Sequence, residues 1–151
     1  MSDHYLILIP EKAGHVPAEE MRAHVQEKFR AITQPLKVEA ELTEFVRFEH
    51  AGGNTGRIFC PDCGTELNYA WWGERMDQDF GEEKSFKLNP VVLPCCGAKR
   101  GLHDLKYESP QGFARFSLSA LEPEMWEIQG QPLIDLETAA GCKLRVIFRR
   151  I

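Results

Sequence analysis

Cys60-Pro61-Asp62-Cys63-Gly64 spaces two thiols by two residues on a turn that ends in glycine. That spacing lets both sulfurs face one ion, and glycine relieves the tight turn behind them. About thirty residues on, Leu93-Pro94-Cys95-Cys96-Gly97 repeats the pattern with its first thiol displaced, because Leu93 stands where the first motif has Cys60. Four soft thiolates are the donor set of a closed, structural zinc site, and one zinc ion per chain is expected. Cys60, Cys63 and Cys96 are the surer ligands. The fourth is Cys95, after a small backbone adjustment, or His103 reaching back from Leu102-His103-Asp104-Leu105; Cys95 is favoured.

No catalytic residue is expected. A catalytic zinc keeps an open position and a general base nearby, whereas four thiolates close the site. The five histidines, at 4, 15, 24, 50 and 103, form no metalloprotease pattern. The acidic run around Asp77, Asp79, Glu82 and Glu83 lacks the spacing of a calcium loop and reads as a solvated loop. The sequence holds no phosphate loop, dinucleotide fingerprint or nucleophile elbow. Cys142 reads as a small core residue.

Bulk properties narrow the classes further. A formal charge of −5 and a pI near 5.6 argue against general binding to a phosphate backbone. The hydrophobic fraction of 43% and charged fraction of 27% are ordinary for a globular domain, and 151 residues make about one. The apolar run Tyr5–Ile9 lacks a basic flank and a small-residue cleavage site, and no stretch approaches a membrane span. A cytoplasmic protein is expected, with thiols and thiolates rather than disulfides.

The elements that must position the cysteines follow from periodicity. Tyr5–Ile9, apolar on both faces, predicts a central strand. Pro17 opens a helix in which Met21, Val25, Phe29 and Ile32 form one stripe, closed by Pro35. Lys37–Phe48 alternates as a half-buried strand whose phase slips near Thr43–Glu44, predicting a bulge. Leu67, Tyr69 and Trp71 alternate with Asn68, Ala70 and Trp72, which predicts a ribbon strand with the two tryptophans on opposite faces. Gly112–Leu121 alternates again, Pro132 to Gly141 delimits a short helix, and Lys143–Ile151 is a last strand. With the cysteine segment 57–109 set aside, the order is strand, helix, strand, strand, helix, strand. The expected fold is therefore α+β: a ferredoxin-like antiparallel sheet in a single domain, 1–151, with a zinc ribbon inserted between its second and third strands.

Phe59-x-Cys-Pro-x-Cys-Gly, the Trp71-Trp72 pair, Leu93-Pro94-Cys95-Cys96-Gly97-Ala98, Leu102–Tyr107, Gly112–Phe116 and Leu144–Ile147 together resemble a group of small, largely uncharacterised bacterial proteins. The resemblance spans most of the chain and implies no activity. In that group a small polar residue often stands at the position of His103, which again favours Cys95. The function expected is non-enzymatic: a zinc-stabilised protein-binding module, of the kind that an immunity protein uses to neutralise a cognate toxin. Trp71, Trp72, Asp77 and Asp79 are the expected contact residues, and the face of the sheet away from the helices is expected to be open to a partner, to the ribbon or to a second copy. A nucleic-acid or regulatory ribbon using Lys99-Arg100 is the alternative, and a metalloenzyme comes third.

Overall fold

A computed structural model describes residues 2–54 and 56–151. Four strands, β1 (His4–Pro10), β2 (Lys37–Glu49), β7 (Gly112–Leu121) and β8 (Leu144–Arg150), form one sheet in the order β2-β7-β1-β8. All three pairings are antiparallel, and β1 and β7 occupy the centre, as their apolar sequences require. Register sets the faces: Leu8 lies beside Leu118 and Val146, and Leu6 beside Ala120 and Phe148.

This face receives both long-range helices. In α1 (Glu19–Thr33), Val25 and Phe29 are buried, Glu19 and Glu20 sit in the first turn, and Gln34 caps the end in a left-handed conformation. Met21, the first residue of the expected stripe, remains 44% exposed and lies against Gly141. In α3 (Gln131–Ala140), Leu136, Ala139 and Ala140 are buried, and Gly141 donates to the Glu137 carbonyl at 2.9 Å. Leu6, Leu8, Phe29, Phe116, Leu118 and Leu136 make the principal core.

The bulge expected in β2 is present: register shifts between Leu42 and Arg47, where Arg115 Nε donates to the Thr43 carbonyl at 3.0 Å. Its consequence is larger than a local kink. β2 and β8 are opposite edges of the sheet, yet Gly52, just past β2, bridges Arg150 in β8. Gly53 N–H donates to the Arg150 carbonyl at 2.6 Å, and Arg149 donates to the His50 carbonyl at 2.8 Å. The sheet is thus curled until its edges meet at one end. The contact is close enough that a side chain at Gly52 would place Cβ 2.2 Å from the Arg150 carbonyl oxygen.

Inside the curl, Ile7, Ile9 and Ile147 are completely buried. At these positions the face opposite the helices, expected to be open to a partner, to the ribbon or to a second copy, is buried within the chain itself. Glu49, also buried, is held between Arg47 and Arg149, the latter at 2.7 Å. Two cations compensate this carboxylate, so the closure carries no unpaired buried charge.

Between β2 and β7 the chain builds the cysteine segment. Short strands β3 (Ile58–Phe59) and β6 (Lys106–Tyr107) pair, as do β4 (Val91–Val92) and β5 (Lys99–Arg100). Between the two cysteine motifs lies a helix, α2 (Tyr69–Phe80), not the strand that the alternation of Leu67, Tyr69 and Trp71 suggests. Asn68 decides the matter locally: its side chain accepts the Trp71 N–H at 3.0 Å, an N-cap that favours helix. The segment packs through Leu67, Trp72, Leu93 and Leu102 onto Phe113 and Phe48 of the main sheet. Its apolar core is continuous with the end of β7.

Candidate metal centre

Each cysteine motif folds as the same turn. Cys60 N–H donates to the Thr65 carbonyl at 2.9 Å and Gly64 N–H returns to the Cys60 carbonyl at 3.0 Å. In the second motif Leu93 N–H donates to the Ala98 carbonyl at 2.8 Å and Gly97 N–H to the Leu93 carbonyl at 2.9 Å. Gly64 and Gly97 both take positive φ, +75° and +77°, which the turn demands and glycine adopts without steric cost. Leu93, at the position of the missing thiol, is instead completely buried and anchors its turn in the core. Cys95 supplies the fourth sulfur from the position that Asp62 holds in the first turn.

The sulfurs of Cys60, Cys63, Cys95 and Cys96 all lie within 4.8 Å of one another and could hold a metal ion. Cys60 Sγ and Cys96 Sγ are 3.7 Å apart. Metal–sulfur bonds of about 2.3 Å at tetrahedral angles give sulfur edges of about 3.8 Å, so this spacing fits one ion with four thiolates. The Asp62 and Cys63 N–H groups approach Cys60 Sγ at 3.3 and 3.4 Å, stabilising negative charge on that sulfur. The Thr65 hydroxyl, 3.2 Å from Cys63 Sγ, pulls that thiol down to about 6, whereas loss of hydration pushes Cys95 up to about 12. Sulfurs so close cannot all ionise alone, and a divalent cation is what lets them share negative charge. Arg100 joins Asp62 at 2.6 Å, tying the second turn to the first.

His103 is not a member of the cluster, which corrects the alternative ligand assignment. It lies in a 3-10 turn, Leu102–Asp104, and is 6% exposed. Its Nε2 bonds the Glu11 carbonyl at 2.6 Å, and its Nδ1 accepts the Phe113 N–H at 3.0 Å. This ring is therefore neutral with its proton on Nε2, and burial, then the Arg145 guanidinium, hold its pKa below the ordinary value.

The expected contact residues divide. Trp71 is half-buried, packed in part against the core of the cysteine segment, and Asp77 is exposed, as are Tyr69 and Glu74 of the same helix. Trp72 and Asp79 are each only 7% exposed and serve the fold instead. Trp72 Nε1–H donates to the Tyr107 hydroxyl at 3.1 Å, which donates to the Leu102 carbonyl at 2.7 Å. Burial pushes the Tyr107 phenol well above its usual range, so it remains neutral. Asp79 accepts the N–H groups of Lys87, Leu88 and Asn89 at 2.9, 2.7 and 3.0 Å. It therefore organises the loop that leads into β4, a role that the sequence signals only as one more acid in a run. Cys142 is half-buried beside the main core, as expected.

Among the described residues no helix is long and apolar enough to cross a membrane. No family model, no curated protein and no solved structure matches the chain.

Proposed function

We propose that this chain is a non-enzymatic protein-binding module braced by one structural zinc ion. The observation that carries the reading is the set of four sulfurs within 4.8 Å of one another, which leaves an ion no open position for water or substrate. Four thiolates at tetrahedral spacing suit zinc among the metals available to a reducing cytoplasm, where we also place the protein. The strand order β2-β7-β1-β8, with α1 and α3 on one face, supports a ferredoxin-like core into which the zinc segment is inserted. Membership of the bacterial group that the motifs resemble belongs to the same proposal.

The partner surface we propose is the exposed flank of α2 at Trp71, with Glu74 and Asp77 on the same helix and Glu82 and Glu83 in the loop just past it. Aromatic anchors within an acidic surround suit a basic protein, such as a toxin that an immunity protein would neutralise. A nucleic-acid reading draws less support, because Arg100 of the small basic spot is already paired with Asp62. The test combines metal analysis with affinity capture. Protein purified without chelator should carry one zinc per chain and retain a basic partner that Trp71→Ala and Asp77→Lys both release. Folded, metal-free protein would refute the zinc brace, and capture indifferent to both substitutions would refute the α2 surface.

A further inference from the structure

The two cysteine turns share one backbone but not one placement of sulfur, and the mismatch falls on Cys95. In the first turn a sulfur leads: the N–H groups of Asp62 and Cys63 reach Cys60 Sγ at 3.3 and 3.4 Å. In the second turn the N–H groups at those positions belong to Cys95 and Cys96, and the leading residue is Leu93, which has no sulfur. The later sulfur of each turn is served alike. Cys63 Sγ takes the backbone N–H of Thr65 and lies 3.2 Å from its hydroxyl, and Cys96 Sγ takes the backbone N–H of Ala98. Cys95 stands apart. Its Sγ meets the sulfurs of Cys60, Cys63 and Cys96, and no backbone N–H or hydroxyl among the described residues donates to it. Cys60 is 1% exposed, whereas Cys95 is open to solvent.

When four sulfurs share one cation all are thiolates, so ionisation does not distinguish them. Electron density does. Each hydrogen bond draws charge from a sulfur and lowers its nucleophilicity, and burial denies access to it. Building on the zinc brace proposed above, we propose that Cys95 is the reactive thiolate of the cluster, through which a hydroperoxide opens the metal site. The Cys95 thiolate attacks one oxygen of hydrogen peroxide, the O–O bond breaks, and hydroxide leaves, giving a sulfenic acid. A second thiolate then attacks that sulfur and expels the remaining oxygen as hydroxide, forming a disulfide. Peroxide gains two electrons, two thiolates lose one each, and the ion keeps two of its four sulfurs. Cys96 is the poorer second partner, because adjacent Cα atoms stand about 3.8 Å apart, short of the roughly 4.4–6.8 Å that disulfides span. Cys63 is the better one, exposed and in the opposite turn. Because α2 lies between the two cysteine turns, release of the ion loosens the surface proposed for the partner.

The test uses the full-length chain loaded with one zinc, in a Cys142→Ser background that removes the thiol outside the cluster. Iodoacetamide below one equivalent forms a single S–C bond with loss of iodide, and fragment-resolved peptide mapping reads which sulfur reacted. Cys95 should take at least about fivefold more label than any of Cys60, Cys63 and Cys96. Hydrogen peroxide should release about one zinc for each peroxide consumed, read with a chromophoric indicator, and leave a Cys63–Cys95 disulfide. Cys95→His, which offers the ion a nitrogen in place of this sulfur, should release zinc at least about tenfold more slowly. If that variant does not hold zinc, the labelling pattern decides by itself. Even labelling of the four sulfurs, first labelling at another cysteine, or undiminished release from Cys95→His would overturn the assignment while the zinc brace stands. Protein that folds without zinc would remove the brace and the assignment together.

Discussion

Protonation of His103 should loosen the joint between the cysteine segment and the main sheet. In the neutral ring, Nδ1 accepts the Phe113 N–H and Nε2–H donates to the Glu11 carbonyl. A proton on Nδ1 would set two donors against each other, 3.0 Å apart, in a buried place. The folded-state pKa is therefore depressed, by burial first and then by Arg145. The sign follows from proton counting. The unfolded chain takes up this proton near pH 6.5 and the folded chain does so only at lower pH, so the stabilisation is complete above about 6.5 and is lost as pH falls below it. The slope from this residue is at most about 1.4 kcal/mol per pH unit across the window between the two values. His103→Ala would orphan the Phe113 N–H and the Glu11 carbonyl, at about 1–3 kcal/mol for each group left unpaired, so a loss of about 2–6 kcal/mol is expected at neutral pH. His103→Asn is the sharper variant, since its amide oxygen can still accept the Phe113 N–H and cannot titrate. It should cost about 1 kcal/mol at pH 7.5, and that deficit should shrink toward pH 5.5. Urea unfolding of metal-loaded protein, with metal content verified at each pH, measures both. His50, also depressed by burial and Arg149, remains in both proteins and cancels in the comparison. Parallel stability profiles for the parent and His103→Asn would refute the reasoning.

Removing the metal should separate the two parts of the fold: after chelation, hydrogen exchange should rise across Phe59–Tyr107 while β1 stays protected by the principal core, and uniform loss would contradict this. Cys96→Ser should abolish tight metal binding, and acid should release the ion because the ligands must stay deprotonated, with metal analysis as the measure. Asp79→Ala should destabilise by about 2–4 kcal/mol in urea melts, since three backbone N–H groups lose their acceptor together. The neighbouring tryptophans should behave oppositely: Trp72→Ala costs about 3–5 kcal/mol of stability, and Trp71→Ala weakens partner binding by about 2 kcal/mol with zinc content unchanged.

Short-range chemistry made much of this protein legible. Val25 and Phe29 recur at helical spacing because one face of α1 must be apolar, whereas the alternation of Lys37–Leu42 marked a strand but not its burial: on this edge strand Val38 is buried and Ala40 and Leu42 are exposed. The phase slip at Thr43–Glu44 announced the bulge, and Gly141 announced the cap of α3. Both cysteine turns were visible because a knuckle is a local object, written in five consecutive residues. Where two local patterns overlapped, as at Leu67–Trp72, three alternating positions were too few to separate strand from helix, and Asn68 was the overlooked signal.

What tertiary structure alone decided depends on partners far apart in the chain. His103 meets a carbonyl 92 residues away, and that bond, not its proximity to the cysteines, sets its role. Asp79 and Asp77 are equivalent as letters in an acidic run, yet only Asp79 faces three backbone N–H groups and is buried by them. The curling of the sheet joins Gly52 to Arg150 and hides Ile7 and Ile147, although an apolar central strand would look the same beneath any cover. Periodicity records which side of an element is buried. It cannot record what buries it, because that is settled by the register and curvature of strands whose pairing spans the whole chain.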